Sequence, residues 1–220
     1  MKTSRILVVG SSNTDMIIKL DRIPRPGETI LGGAFVTAAG GKGANQAVGA
    51  ARAGGQVTFI ARVGQDMFGD QAVAGFVRDG INVDHVTRDK TNPSGVALIF
   101  VANDGENSIA VAGGANAKLS PADVRKAKAA FAGASVLVMQ LETPLETVQA
   151  AADLAAKAGV RVILNPAPAQ PLPDKLLKRV SILTPNETEA ELLTGIAVND
   201  DTSAAAAAAR LRARGVQTVI

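Results

Sequence analysis

The chain has 220 residues, of which 47% are apolar and 20% charged, with a formal net charge of +3. That length suits one large domain or a domain with a small appendage, and the composition is that of a packed globular protein rather than a disordered one. Cysteine, Trp and Tyr are absent and Phe occurs six times, which excludes disulfides, thiolate metal sites and a Cys nucleophile and removes the aromatic platforms on which single-stranded nucleic acids stack.

In chain order, Met1-Lys2-Thr3-Ser4-Arg5 leads directly into an apolar run at 6–9. The run is too short for a signal-peptide core, and no stretch is long enough to span a bilayer. A cytoplasmic protein with neither membrane nor nucleic acid as a partner is expected. Residues 6–9, ending at Gly10, predict a strand buried on both faces. Residues 14–20 and 27–37 read as extended, with Pro24 and Pro26 between them. Residues 46–53 predict an Ala-rich helix stopped by Gly54-Gly55. A strand follows at 57–61, then an amphipathic helix at 66–78 with Phe68, Ala72, Val73, Phe76 and Val77 on one side.

Further on, 95–101 and 108–112 flank Asn103-Asp104-Gly105, a hairpin signal. Ser120-Pro121-Ala122-Asp123 begins a helix. Strands are predicted at 136–139, 160–164 and 180–183, with a helix from Pro144 to Lys157 that Gly159 ends. Helices at about 187–193 and 202–214 close at Gly195 and Gly215, and 216–220 reads as a last strand. Strands alternating with crossover helices imply an α/β fold: a doubly wound, mostly parallel sheet with helices on both faces. The segments 14–37 and 95–112 lack an intervening helix and read as a small β lid beside one domain spanning 1–220. Because nothing follows the terminal strand, that domain is expected to be cut in mid-fold.

Two polar segments could carry chemistry. Ala39-Gly40-Gly41-Lys42-Gly43-Ala44-Asn45-Gln46-Ala47 is glycine-rich and leads into a helix, whose positive end favours polar ligands. It is not a Walker A loop, because Val36 stands where the first Gly is needed and Gly43 where Ser or Thr should hold magnesium. Gln46 replaces the third Gly of G-x-G-x-x-G. On spacing alone, a plain turn and a ligand site remain equally open. Gly10-Ser11-Ser12-Asn13-Thr14-Asp15 follows the first strand, where open α/β sheets bind ligands; locally it also reads as an ordinary Asx turn. His85 is the single histidine, which makes a transition-metal site or a Ser-His-Asp triad a poor reading. Arg125-Lys126-x-Lys128 reads as a solvated helix face.

Together, Asn13-x-Asp15 and the Gly40 to Ala47 segment resemble the first signature of the ribokinase or PfkB family of carbohydrate kinases. Ser94-Gly95-Val96-Ala97-Leu98-Ile99, Gly114-Ala115-Asn116, Met139-Gln140-Leu141-Glu142, Leu164-Asn165-Pro166-Ala167-Pro168 and Thr184-Pro185-Asn186-Glu187-Thr188-Glu189 extend the likeness collinearly over the chain. The resemblance implies ATP-dependent phosphorylation of D-ribose at its 5-hydroxyl. It places Asn13, Asp15, Gly41, Asn45 and Glu142 on the sugar hydroxyls, with Lys42 helping to position the sugar or the transferred phosphate. Ala97, Ile99 and Val111 would form the apolar wall of the lid. Asn186 and Glu189 match an Asn-x-x-Glu motif serving the nucleotide phosphates and magnesium, which Glu189 would hold through water. On spacing alone, these two residues read as a helix cap and a first-turn acid.

The family's catalytic base is the Asp of a Gly-Ala-Gly-Asp-like motif. Gly64-Gln65-Asp66 and Gly69-Asp70 are the nearest matches and lie too early in the chain. The base and a potassium site are therefore expected beyond Ile220, and the 220-residue chain alone is expected to be inactive. A homodimer joined through the lid is also implied. Other readings are a kinase for another sugar such as fructose, a ketodeoxy sugar acid or a nucleoside, and a non-catalytic sugar-binding or regulatory module.

Overall fold

The computed structural model describes residues 4–220, so Met1, Lys2 and Thr3 of the amino-terminal segment lie outside the described residues. The chain begins with β1 (Arg5–Val9), whose run of branched apolar residues is buried on both sides. Two strands, β2 (Asn13–Leu20) and β3 (Ala34–Gly40), come before helix α1 (Lys42–Arg52) and β4 (Gln56–Gly64). Helix α2 (Met67–Arg78) leads to β5 (Asn82–Asp89), and a second strand pair follows, β6 (Gly95–Ala102) and β7 (Asn107–Ala112). A 3-10 turn (Gly114–Lys118) and the short helices α3 (Pro121–Lys126) and α4 (Lys128–Phe131) return the chain to β8 (Val136–Met139). Then come α5 (Leu145–Lys157), β9 (Arg161–Leu164), α6 (Asp174–Leu177), β10 (Ile182–Leu183), α7 (Glu187–Thr194), α8 (Asp201–Ala213) and β11 (Thr218–Val219).

Seven strands form one parallel sheet in the order β11-β10-β9-β8-β1-β4-β5. The chain starts at β1, winds out through β4 and β5, then returns to β8 on the other side of β1 and winds outward again. Between β1 and β8 the direction of winding reverses, and a crevice opens there at the carboxyl ends of the strands. Helices cover both faces, as expected. Ala44 and Ala47 of α1 and Phe76 of α2 pack on Val8, Phe59 and Ala61. On the other face, Val148, Ala151, Ala152 and Ala155 of α5 join Leu193 and Leu211 over Leu7, Leu137, Met139 and Leu164. On the α1 side, the row Val138, Ile163 and Ile182 is only half-buried.

The lid is a separate four-stranded sheet in the order β3-β2-β6-β7. Its two hairpins are inserted in different crossovers, and the parallel pairing of β2 with β6 joins them, from Asn13 opposite Gly95 to Leu20 opposite Ala102. Some expectations shift. Strand β3 starts at Ala34 rather than at 27, because Gly32 and Gly33 have φ of 97° and 102° and turn the chain out of extended geometry. Helix α1 starts at Lys42, four residues before the predicted start, for a reason found in the site below. Val77 lies off the buried stripe of α2 and is 57% exposed. Strand β5 carries His85 half-buried on a sheet edge, where polar alternation hides a strand. The last two strands pair over two residues each, and α6 and the 3-10 turn had no sequence signal. Arg125, Lys126 and Lys128 are exposed, as a solvated face requires.

A buried ion cluster anchors the second lid hairpin. Arg62 on β4 donates to Asp89 at 2.7 Å and to Asp123 at 3.1 Å. Asp89 also accepts the backbone N–H groups of Thr91 and Asn92, so it shapes the turn that feeds β6. Ser94, the last residue before β6, donates its N–H and hydroxyl to Asp66, each at 2.7 Å. Removing Arg62 would leave two nearly buried carboxylates unpaired. Arg62→Ala is expected to lose about 3 kcal/mol of stability in urea denaturation at neutral pH. The Arg62 bond holds Asp89 well below its ordinary value of 3.8. The stabilisation is thus complete above that value and lost as pH falls below it, so wild type and variant should converge in acid.

Candidate active site

The reversal between β1 and β8 decides which loops meet. The segment after β1 supplies Ser11, Ser12 and Asn13, and the segment after β8 supplies Gln140, Leu141 and Glu142. Between them sits the start of α1. A helix leaves its first N–H groups without intrahelical partners, and here each finds one. Lys42 N–H donates to Glu142 Oε2 at 2.8 Å, Gly43 N–H to Ser11 Oγ at 3.3 Å, and Ala44 N–H to the Ser11 carbonyl at 2.8 Å. Ser11 Oγ in turn donates to Glu142 Oε2. This shared capping lets the helix begin inside the glycine-rich loop, where sequence periodicity placed only a turn. Gly41, the residue before the helix, has φ of 92°, and a Cβ there would strike the backbone of Ser12 and Asn13. The loop is therefore not an open phosphate cradle.

The predicted sugar ligands gather around this junction. Asn13 is the first residue of β2 and is 7% exposed. Asp15 follows two residues later on β2, its carboxylate lying against the bare Cα of Gly40. Burial, and then the negative charge of Glu142, push the Asp15 carboxyl above its ordinary value. Asn45 projects from the first turns of α1 and is exposed. Asn13, Gly40 and Asn45 line a cleft of about 440 Å³ between the base of the lid and helices α1 and α2, together with Thr37, Arg52 and Phe68. Lys42 contributes its N–H to Glu142, and its ammonium is in no ion pair among the described residues. The strand register places Asp15, Ala97 and Val111 in one row across the lid, with Ile99 on the same face. Ala97 is buried and Val111 is 57% exposed.

Asn186 and Glu189 stand apart from this group. They follow β10, three strands from β1, roughly 14 Å along the sheet edge at ordinary strand spacing. Their side chains form a reciprocal capping box: Glu189 N–H donates to Asn186 Oδ1 at 2.8 Å, and Asn186 N–H to Glu189 Oε2 at 3.0 Å. The cap reading made from spacing is thus what the fold uses. One carboxylate oxygen of Glu189 stays uncommitted, and a single oxygen suits a metal that keeps most of its waters. No cluster of three or more metal-ligating acids or histidines occurs among the described residues. Sequence reasoning quoted Ser11 and Asn116 within motifs but gave neither a role. Asn116 Nδ2 donates to Asn13 Oδ1 at 2.7 Å and to the Ser12 carbonyl at 3.0 Å, contacts between segments whose spacing no local pattern reveals.

A doubly wound sheet carrying a β lid over its reversal point places the protein among lidded α/β sugar kinases. Its fold matches the structure of Arabidopsis thaliana ribokinase complexed with ribose and ATP, with a TM-score of 0.88 and 34% identity, over 99% of this chain and 71% of that one. The family model for pfkB family carbohydrate kinases matches residues 3–220, and the chain belongs to that family. A ribokinase of Haemophilus influenzae is 47% identical over 98% of this chain and 70% of its own length. A deoxyribokinase of Salmonella typhi is 40% identical over 98% of this chain and 71% of its own length. No helix of the described residues is long and apolar enough to cross a membrane.

The coupling of Asp15 to Glu142 can be read directly. The Asp15 carboxyl should titrate above 3.8 in carbon-detected NMR, and Glu142→Gln should move the midpoint downward by removing the like charge. An unchanged midpoint would show that the two groups do not interact.

Proposed function

We propose that this protein phosphorylates D-ribose at its 5-hydroxyl, with ATP as phosphate donor. The observation that carries this reading is the meeting of Asn13, Asp15 and Glu142, the two carboxylates close enough to feel each other's charge, at the reversal point of the sheet. Two carboxylates repel an anion and accept hydrogen bonds from hydroxyl groups, so this end of the crevice suits a neutral polyol and not a phosphate. Asn13 and Asn45 add directional amides, and Gly41 lets the backbone approach. The row of Ala97, Ile99 and Val111 would close over the apolar face of the sugar and exclude water. Relatives named ribokinase, at up to 47% identity, favour ribose over other sugars.

The nucleotide phosphates are assigned to the edge near Asn186 and Glu189. A magnesium ion held through water by Glu189 would neutralise phosphate charge, and the Lys42 ammonium would meet the transferred group from the sugar side. Positioning supplies most of the rate in such a transfer. The 220 residues contain no Gly-Ala-Gly-Asp-like segment, and the proposal gives none of the carboxylates named here the role of proton acceptor. A potassium requirement, a cytoplasmic location and a homodimer are further parts of the proposal. The lid face turned away from Asp15 exposes Phe35 and Leu98, which a second lid would cover.

Asp15→Ala should weaken ribose binding by about 1.5–3 kcal/mol in calorimetry, the scale of a charged hydrogen bond. Unaltered affinity would remove Asp15 from the sugar site. Acidification through the raised Asp15 value should weaken ribose in the same way, because the protonated carboxyl loses acceptor strength. A panel of ribose, deoxyribose and fructose with coupled ADP detection separates the kinase readings from a binding module. Leu98→Asp should turn a dimer in light scattering into a monomer; a wild type that is already monomeric would refute pairing through the lid.

A further inference from the structure

We infer that Asn116 is a positioning residue that fixes the amide of Asn13 with its NH2 group, not its oxygen, turned to the ligand. The inference rests on the sugar-binding reading only for what the ligand is. The orientation follows from groups that cannot be exchanged. Ser12 offers Asn116 a backbone N–H, which must be accepted, and a backbone carbonyl, which must receive a donor. Asn116 Oδ1 takes the first at 2.9 Å, and its Nδ2 serves the second at 3.0 Å. The amide of Asn116 therefore has one allowed orientation. Its remaining N–H points at Asn13 from 2.7 Å, and only an oxygen can sit there.

Asn13 is thereby locked with Oδ1 inward. Its Nδ2 makes no hydrogen bond to any described residue, and Asn13 lines the cleft at the base of the lid. The surroundings keep the lock closed. Asn116 is 2% exposed and Asn13 7%. A Cβ at Gly95, the first residue of β6, would collide with both Asn13 Oδ1 and Asn116 Nδ2. The pair is thus wedged where β2 and β6 begin side by side. Beside the acceptors Asp15 and Glu142, Asn13 becomes a donor of fixed direction. A ligand must present an oxygen lone pair to Asn13 and hydroxyl protons to the carboxylates.

Asn116→Asp tests this with little change of shape. The new carboxylate still accepts the Ser12 N–H but cannot donate to Asn13, so the Asn13 amide should turn over and show its oxygen to the ligand. Ribose affinity in calorimetry should fall about tenfold, the scale of one hydrogen bond. In an Asn13→Ala background the same substitution should cost less than twofold, because Asn116 acts through Asn13. An equal loss in both backgrounds, or no loss in the native one, would overturn the assignment. The free wild-type protein gives a second measurement. Its Asn116 side-chain NH2 protons should exchange slowly in NMR and those of Asn13 quickly; the reverse order would refute the orientation. If the wild type binds no ribose, the sugar reading fails while the exchange order still decides the orientation.

Discussion

Everything in the crevice hangs on Glu142. One of its oxygens accepts both the Ser11 hydroxyl and the first N–H of α1, so a single carboxylate holds together the loop after β1, the glycine-rich loop and the end of β8. The partners are 131 and 100 residues away in sequence. A helix N-terminus attracts negative charge, and the fold satisfies that demand internally. The charge that caps α1 also disfavours ionisation of Asp15, so the same group organises the loop and tunes its neighbour. Loop shape and site electrostatics cannot be altered separately here.

That arrangement gives the glycines a purpose other than the one their spacing suggests. Gly40 leaves room for the Asp15 carboxylate, and Gly41 lets α1 begin close against Ser12 and Asn13. The loop bends tightly so that side chains from three segments can converge, and the convergence makes the surface on which a polyhydroxyl ligand would rest. The proposed nucleotide end is built by a different device, a capping box roughly 14 Å away along the sheet edge.

Much of the architecture was legible because local rules and tertiary packing agree. Strands β1 and β8, the helix beginning near Asp66 and the stop at Gly195 all stand where periodicity and glycine punctuation put them. Misreadings fell where a distant partner overrides local signals. Helix α1 gains its early start from Ser11 and Glu142. The segment around His85, open between strand and loop on sequence alone, is a strand because β4 pairs with it. In the candidate site, Asn13, Asp15 and Asn45 were singled out through a family signature. The positions of Ser11 and Asn116 depend on contacts more than a hundred residues long, which no window along the sequence contains.

The lid carries a consequence for the order of assembly. Its central pair, β2 with β6, joins two hairpins that leave the main sheet in different crossovers, and Asn116 secures the joint from beyond both. Each hairpin can form locally and early, but their parallel union must wait until β1, β4 and β5 are in register, since loop-closure entropy opposes it before then. The cleft at the base of the lid is thus expected among the last features to form as the chain folds. Occupancy of that cleft would report that both halves of the sheet have already found their places.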